Sequence, residues 1–470
     1  MDRSWPAGSR RTFALVVVVC GVLASGALVS ADGRQALQNA ASLVRQGRLD
    51  EAVTQAQLAL EDPEARAAAY SVLGSIRLQQ QRLGDSARLF EEALKIEPGL
   101  PGAQINLAQV YVLQGKADRA IDVLRRALTA DPSLAPAAAT TWTGVPGVPV
   151  AASVTFALLL VERGAVADAV GVLERVQATN PASYEVAFNL GSAYVLARQP
   201  ARALEAYDAA LAVSPDALPA LRQAAALAEQ QGQSERALSY WMRARRVAPD
   251  DPDVLLGFGR VCWTMDLLED AEPALEKAAR LRPDSAPHQY TLAAVKVGKR
   301  QFEAAQRILE PLVAARPQDA RLQYALGAVL YTQGHLEEAA THLTESARLD
   351  PAPAASQYYL ALVTRDQGRE PEAIAMLERL LKQHPDHAGA REALGGLQMG
   401  AQRYAEAEAN LREAIRLSPG SVKANYQLGL LLVRSGKKDE GDRQLAHAKT
   451  LREEDAATSR LQLRLLDGGR

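Results

Sequence analysis

Along residues 189–215, NLGSAYVLARQPARALEAYDAALAVSP, apolar side chains fall in two bursts with helical spacing. Leu190, Ala193, Tyr194 and Val195 form the first. Ala203, Leu204, Tyr207 and Leu211 form the second, with Pro215 closing the segment. This spacing predicts two short amphipathic helices. The same layout recurs on either side. Prolines stand at 181, 215, 249, 283, 317, 351, 385 and 419, and alanines at 169, 203, 237, 271, 305, 339, 373 and 407, each 34 residues beyond the last. A period of that length predicts a solenoid of helix-turn-helix units. Proline lacks an amide hydrogen and clashes with the carbonyl four residues back, so each one ends the second helix of its unit. Each alanine marks a place where helices approach too closely for a branched side chain.

The pattern has departures. Between Pro132 and Pro181 the chain carries one period plus fifteen residues, and the excess lies near APAAATTWTGVPGVP, residues 135–149. Pro136, Gly144, Pro146, Gly147 and Pro149 are expected to forbid a regular helix there. The stretch reads as a linker, the site most open to proteolysis. The repeats divide accordingly into residues 32–134, with about three units, and 150–455, with about nine. Unit one, near residues 33–66, has Ala40 and Ala52 in place but little bulk, and reads as a fraying N-terminal cap. At the other end, residues 456–470 predict a capping helix with Leu461 and Leu465 on one face and Arg460 and Arg464 on another.

Composition narrows the function. Lys and Arg total 53 against 55 Asp and Glu, a net charge of −2 that gives no reason to expect a nucleic-acid surface. Aromatic residues make up 5% of the chain while hydrophobic ones make up 48%, so Ala, Leu and Val build the core. The two cysteines, Cys20 and Cys262, lie in different contexts and define neither a disulfide framework nor a thiolate metal site.

The first thirty-one residues predict a sorting segment: Arg3, Arg10 and Arg11 precede an apolar run from Phe13 to Val29, and Val29-Ser30-Ala31 supplies small residues for cleavage after Ala31. SRRTF, residues 9–13, resembles a twin-arginine export signal, but Val16–Val19 is more apolar than that route favours, and general secretion is the preferred reading. The run is also just long enough to span a bilayer, so an uncleaved anchor is the alternative and the only membrane contact expected. Lipidation of Cys20 is disfavoured by the bulk of Val19.

The repeat resembles the tetratricopeptide family. Members carry small residues at the eighth, twentieth and twenty-seventh positions, larger ones at the fourth, seventh, eleventh and twenty-fourth, and proline at the thirty-second. The unit opening at Tyr184 matches through Leu190, Gly191, Tyr194, Ala203, Tyr207, Ala210 and Pro215, and Gly74, Gly259, Gly327, Gly395 and Gly429 agree at the eighth position. The resemblance runs from Gly33 to about Asp455 and implies an all-α, right-handed α-solenoid of about twelve units.

It also implies where partners bind. The fifth position of each unit lines the concave face in this family, and here it holds Phe188, Arg222, Tyr290, Tyr324, Tyr358 and Tyr426, with Glu392 interrupting the ladder. Partner peptides or helices are expected there. Alanine at Tyr324 and Tyr358 is expected to weaken binding by about 2 kcal/mol while sparing the fold. Asn106 and Asn189 sit at the sixth position without the preceding lysine that family members use to clamp a terminal carboxylate. Trp142, in the insertion, either tucks against a neighbouring helix or offers a secondary contact to a partner.

No phosphate loop, nucleotide fingerprint, HExxH or GxSxG is present, and the expectation is a non-enzymatic chain without cofactor or metal. His384 and His387 form an HPDH turn, and DDPD spans 250–253; both read as solvated turns between units. Cys262 reads as a small core residue. The expected role is an exported scaffold of the cell envelope, with the periplasmic scaffold of an exopolysaccharide-export or secretion machine as one variant. A carbohydrate-binding protein using the tyrosines as sugar platforms is the reading from another class. Glycoside hydrolysis needs two facing carboxylates, and groove positions supply scattered ones such as Glu185 and Glu392.

Overall fold

The structure, a computed structural model, describes residues 30–467, with side-chain surroundings through residue 454. The sorting segment lies outside the described residues, apart from Ser30 and Ala31. Twelve helix pairs and one unpaired helix make up the described chain, with no strand among the described residues. The first three pairs are α1 (Ala31–Arg45) with α2 (Leu49–Leu58), α3 (Arg66–Gln79) with α4 (Leu83–Ile96), and α5 (Pro101–Leu113) with α6 (Ala117–Ala130). The unpaired α7 (Ala135–Gly144) follows. Then come α8 (Val150–Glu162) with α9 (Val166–Thr179), α10 (Tyr184–Leu196) with α11 (Pro200–Val213), and α12 (Leu218–Gln230) with α13 (Ser234–Val247).

The chain clusters into two compact units, one ending at Pro249 and one beginning at Asp250. The second holds α14 (Pro252–Thr264) with α15 (Leu268–Leu281), α16 (Ala286–Gly298) with α17 (Phe302–Ala315), and α18 (Ala320–Gln333) with α19 (Leu336–Leu349). It continues with α20 (Ala354–Asp366) and α21 (Glu370–Gln383), α22 (Ala388–Gly400) and α23 (Tyr404–Leu417), and α24 (Val422–Arg434) with α25 (Lys438–Asp467). The capping helix expected over 456–470 is thus the continuation of α25 through Asp467 and not a separate element.

The periodic residues do what their chemistry dictates. Pro215 and Pro283 follow second helices that end two residues earlier, at Val213 and Leu281. All eight periodic alanines, Ala169 through Ala407, are 0% exposed. A β-carbon added at Gly191 would lie 2.7 Å from the Tyr207 ring, and one at Gly327 would lie 2.8 Å from Leu343 Cγ. Where the eighth position of a first helix is glycine, it is therefore a hole for the twenty-fourth-position side chain of its partner helix.

Successive units are also latched by hydrogen bonds. At the fourth position of α16, α18, α20, α22 and α24, the side chains of Gln289, Gln323, Gln357, Arg391 and Asn425 donate to the carbonyls of Pro283, Pro317, Pro351, Pro385 and Pro419, at 2.9–3.2 Å. A proline carbonyl beyond a helix end has no amide of the next turn to bind, so a side chain from the following unit satisfies it. Gln323 Oε1 also accepts from His342 Nδ1–H at 2.7 Å, and the glutamine is almost wholly buried. Gln323→Leu should cost about 1.5 kcal/mol by chemical denaturation, because it orphans a carbonyl and an imidazole together. An unchanged midpoint would show that the latch contributes nothing.

Two expectations are corrected. Residues 135–149 are not an open linker: Ala135–Gly144 form α7, with Pro136 in its first turn where no amide partner is lost. Ala135, Ala138 and Trp142 are buried, and only the Gly/Pro stretch after Gly144 is irregular. Unit one has more core than its sequence suggests, since Leu37, Ala40, Val44, Ala52 and Ala56 form a continuous cluster with Val72, Leu73 and Ile76 of α3. Ser30 caps α1 by accepting from the Gly33 amide at 3.0 Å, and its own amide and hydroxyl both donate to Asp62 Oδ2, at 2.9 and 2.7 Å. A cut after Ala31 removes that cap.

Candidate functional site

First helices of the second unit carry aromatic residues at the fifth position because that position lies off the seam packed against the partner helix. Tyr290, Tyr324 and Tyr358 are nevertheless half-buried rather than free. Tyr359, one residue on from the ladder, draws them together: its ring lies 5.8 Å from Tyr324, 5.8 Å from Tyr331 and 5.6 Å from Tyr358, all edge to face. Tyr290 and Phe302 pack against the same apolar cluster around Leu326 and Leu330. Tyr426 stands apart at 51% exposure.

The rim of this cluster is polar and internally satisfied. Tyr331 Oη donates to Asp366 at 2.8 Å, and Arg365 binds the same carboxylate at 2.7 and 3.1 Å. The guanidinium, followed by the Tyr331 hydroxyl, outweighs burial and holds the Asp366 carboxyl below its ordinary range. Burial first, and Asp366 second, push Tyr331 up to about 12. Burial, with Tyr359 and Tyr290 nearby, does the same to Tyr324. Burial and then Glu392 raise Tyr358. Glu392 accepts from Ser421 Oγ at 2.7 Å and pairs with Lys423 at 3.0 Å. Hydroxyls held this far from ionisation at neutral pH serve as hydrogen-bonding groups and not as bases or nucleophiles.

In the first unit, Phe188 is half-buried on α10, stacked 5.7 Å from Tyr184 and tilted 5.8 Å from Tyr207, and Arg222 is half-buried on α12. Of the two readings of Trp142, the structure shows the tucked one and not the secondary partner contact: it is 3% exposed, stacks 4.5 Å from Phe156 and donates Nε1–H to Ser153 Oγ at 3.2 Å. Its ring belongs to the interior because Ala138 and Ala139 leave α7 slim enough to press it onto α8. Asn106 is likewise buried, while Asn189 donates to the Glu185 carbonyl of its own helix at 2.8 Å.

The turn motifs resolve as helix caps. His387 accepts from the Ala390 amide at 3.0 Å and lies 4.8 Å from the Tyr358 ring. Asp251 accepts from the amides of Asp253 and Val254 at 2.9 and 3.1 Å. Among the described residues, no group of three or more His, Cys, Asp or Glu side chains is arranged to hold a metal ion. Cys262 is buried.

Burial holds both His387 and His342 below the ordinary 6.5. A histidine kept neutral by folding contributes stability that is present above pH ~6.5 and lost as pH falls through its lower folded value. Melting temperature should therefore fall between about pH 7 and 5, and the fall should be smaller in a His387→Asn, His342→Gln variant, where asparagine preserves the cap. Parallel profiles for the two proteins would remove these groups from the explanation.

Sequence reasoning missed Tyr331, Tyr359, Arg365, Asp366 and Trp263. Trp263 is 40% exposed at the twelfth position of its unit, two turns beyond the fifth and on the same helix face. Val297 and Val433 repeat that position and are also exposed. The signal was the twelfth-position register, which holds Trp263, Val297, Tyr331, Arg365, Met399 and Val433 in successive units.

Helix pairs in register, with an aromatic face rimmed by satisfied ion pairs, define a repeat scaffold for protein–protein interaction. The chain belongs to the tetratricopeptide repeat family: one profile of that family matches residues 77–141, and another matches 37–101, 154–220, 222–286, 290–355, 329–388, 358–422 and 392–441. Among solved structures, the chain is similar to MamA from Desulfovibrio magneticus RS-1, at 24% identity over 36% of this chain and 96% of that one, with a TM-score of 0.34. It is also similar to YrrB, described as a TPR protein with an unusual peptide-binding site, at 24% identity over 40% and 98%, TM-score 0.35. The Cut9–Hcn1 hetero-tetramer of the APC/C matches at 15% identity over 85% and 90%, TM-score 0.45. No curated protein matches the chain.

Proposed function

We propose that the protein is a non-enzymatic scaffold of the cell envelope that holds partner proteins, as extended peptides or helices, on the first-helix face of its second unit. The observation that carries this reading is the set of tyrosines at the fifth position, Tyr290, Tyr324, Tyr358 and Tyr426, interrupted by Glu392 and broadened by exposed Trp263 at the twelfth position on the same helix face. Tyrosine and tryptophan give large rigid contacts with a polar tip, the kind that dominates interface energy. Concavity of that face is what the family resemblance implies. Sugar platforms are less well served, because the Tyr324, Tyr331 and Tyr358 rings are engaged edge to face with Tyr359. The arginine-then-apolar pattern of residues 3–29 supports the exported reading. No described helix is long and apolar enough to cross a membrane.

A photo-crosslinking amino acid at position 426 should trap discrete partners in envelope extract, and one at Leu281, an exposed second-helix end, should not. Tyr426→Ala should weaken capture of the same partners by about tenfold with unchanged melting. Equal adducts from both positions would sink the face assignment. Fractionation with intact-mass measurement tests export separately: a cytosolic chain retaining residues 1–31 defeats it.

A further inference from the structure

On α10, α14, α16 and α24, the twelfth position is left exposed, through Val195, Trp263, Val297 and Val433. The third unit differs. Its first helix, α5, is buried at the fifth, ninth and twelfth positions, with Ile105 1%, Gln109 7% and Val112 8% exposed. The inserted α7 lies against that face: Ile105, Gln109 and Val112 line a small enclosed cavity whose other wall is Ala138, Thr141 and Trp142 of α7. The fit is incomplete. Gln109 Oε1 and Thr141 Oγ1, on opposite walls, are buried without a hydrogen-bond partner, as is Asn106 Oδ1 one turn away. Each unmade bond in a water-excluded contact subtracts from the hold of α7 on α5.

The ten residues of α7 carry no charge, and a helix this short is not stable alone in water, so docking is what orders it. Pro132 precedes it and Pro136 lies in its first turn, while Gly147 at φ +74° and Pro149 follow it. Trp142 anchors it on Phe156 and Ser153 of α8, and the helix also lies against α9.

We propose that α7 is a removable occupant of the first-helix face of the third unit, displaced by a partner helix of the same chemistry: uncharged, rich in small residues and anchored by one aromatic ring. Such a helix outcompetes α7 when it also places a side-chain donor opposite Gln109. The first unit then has a docking surface that is closed in the isolated protein, separate from the tyrosine face of the second unit.

Hydrogen exchange on the intact protein tests this directly. Amides of α7 should exchange roughly 100-fold faster than those of α5 and α9, through an opening insensitive to low denaturant. Gln109→Leu, which removes an orphaned acceptor from the contact, should slow that opening. In a full-length variant whose residues 135–149 are replaced by a Gly/Ser linker of equal length, a synthetic peptide of residues 132–149 should bind with a blue shift of its tryptophan emission, while the intact protein ignores it. Exchange of α7 in step with α5 overturns the proposal. So does a folded linker variant that does not bind the peptide, or one that unfolds, because a removable occupant leaves a folded repeat behind.

Discussion

Alanine at Tyr324 and Tyr358 together is expected to lower stability by about 2–4 kcal/mol as well as to weaken partner binding, and the two effects should not separate. From the ladder alone these side chains look like open groove residues whose loss spares the fold. The structure changes that expectation: Tyr324 and Tyr358 are half-buried and meet through Tyr359, so truncation opens voids beside Leu326 and Leu330 and beside the cluster of Leu377 and Leu394. Urea denaturation of the double variant, with Tyr426→Ala as the exposed control, reads the difference. A double variant as stable as wild type would return these rings to the solvent face.

Gly327→Val is expected to destabilise the second unit by about 3 kcal/mol, near the upper end of overpacking costs. A β-carbon there already meets Leu343 Cγ at 2.8 Å and its backbone nitrogen at 3.2 Å, and valine adds two methyls in a helix that restricts their rotation. The side chain of Leu343 is able to turn, but its backbone is not, so α18 and α19 must move apart. Combining Gly327→Val with Leu343→Ala should recover part of the loss, a signature that a generally disrupted helix would not show. Absence of any recovery would place the strain elsewhere.

The repeat was legible because its signals are backbone and steric ones. Proline ends a helix wherever it falls, and alanine or glycine at a crossing reports the distance between two helices without reference to the rest of the chain. Pairing and order followed from those residues. What stayed hidden depends on neighbours distant in sequence. Tyr359 sits at the sixth position, where no family pattern draws the eye, and its role appears only when the Tyr324 and Tyr331 rings close on it. Gln323 and Gln357 look like ordinary surface polar residues until the carbonyls of Pro317 and Pro351 are seen opposite them. The insertion misleads because Pro136 reads as a breaker in the sequence, although the first turn of a helix tolerates proline.

The fourth-position latches give the second unit a mechanical character. They lie between units and not within them, at near-regular intervals along the chain from Pro283 to Pro419. A pull on the two ends loads them in series, so the weakest junction yields first and the load passes undiminished to the next. Each 34-residue repeat that peels away releases roughly 110–120 Å of extended chain, while its neighbours keep their own hydrogen bonds. Such a chain lengthens in evenly sized steps under tension, a compliant tether between whatever is fastened at its two ends.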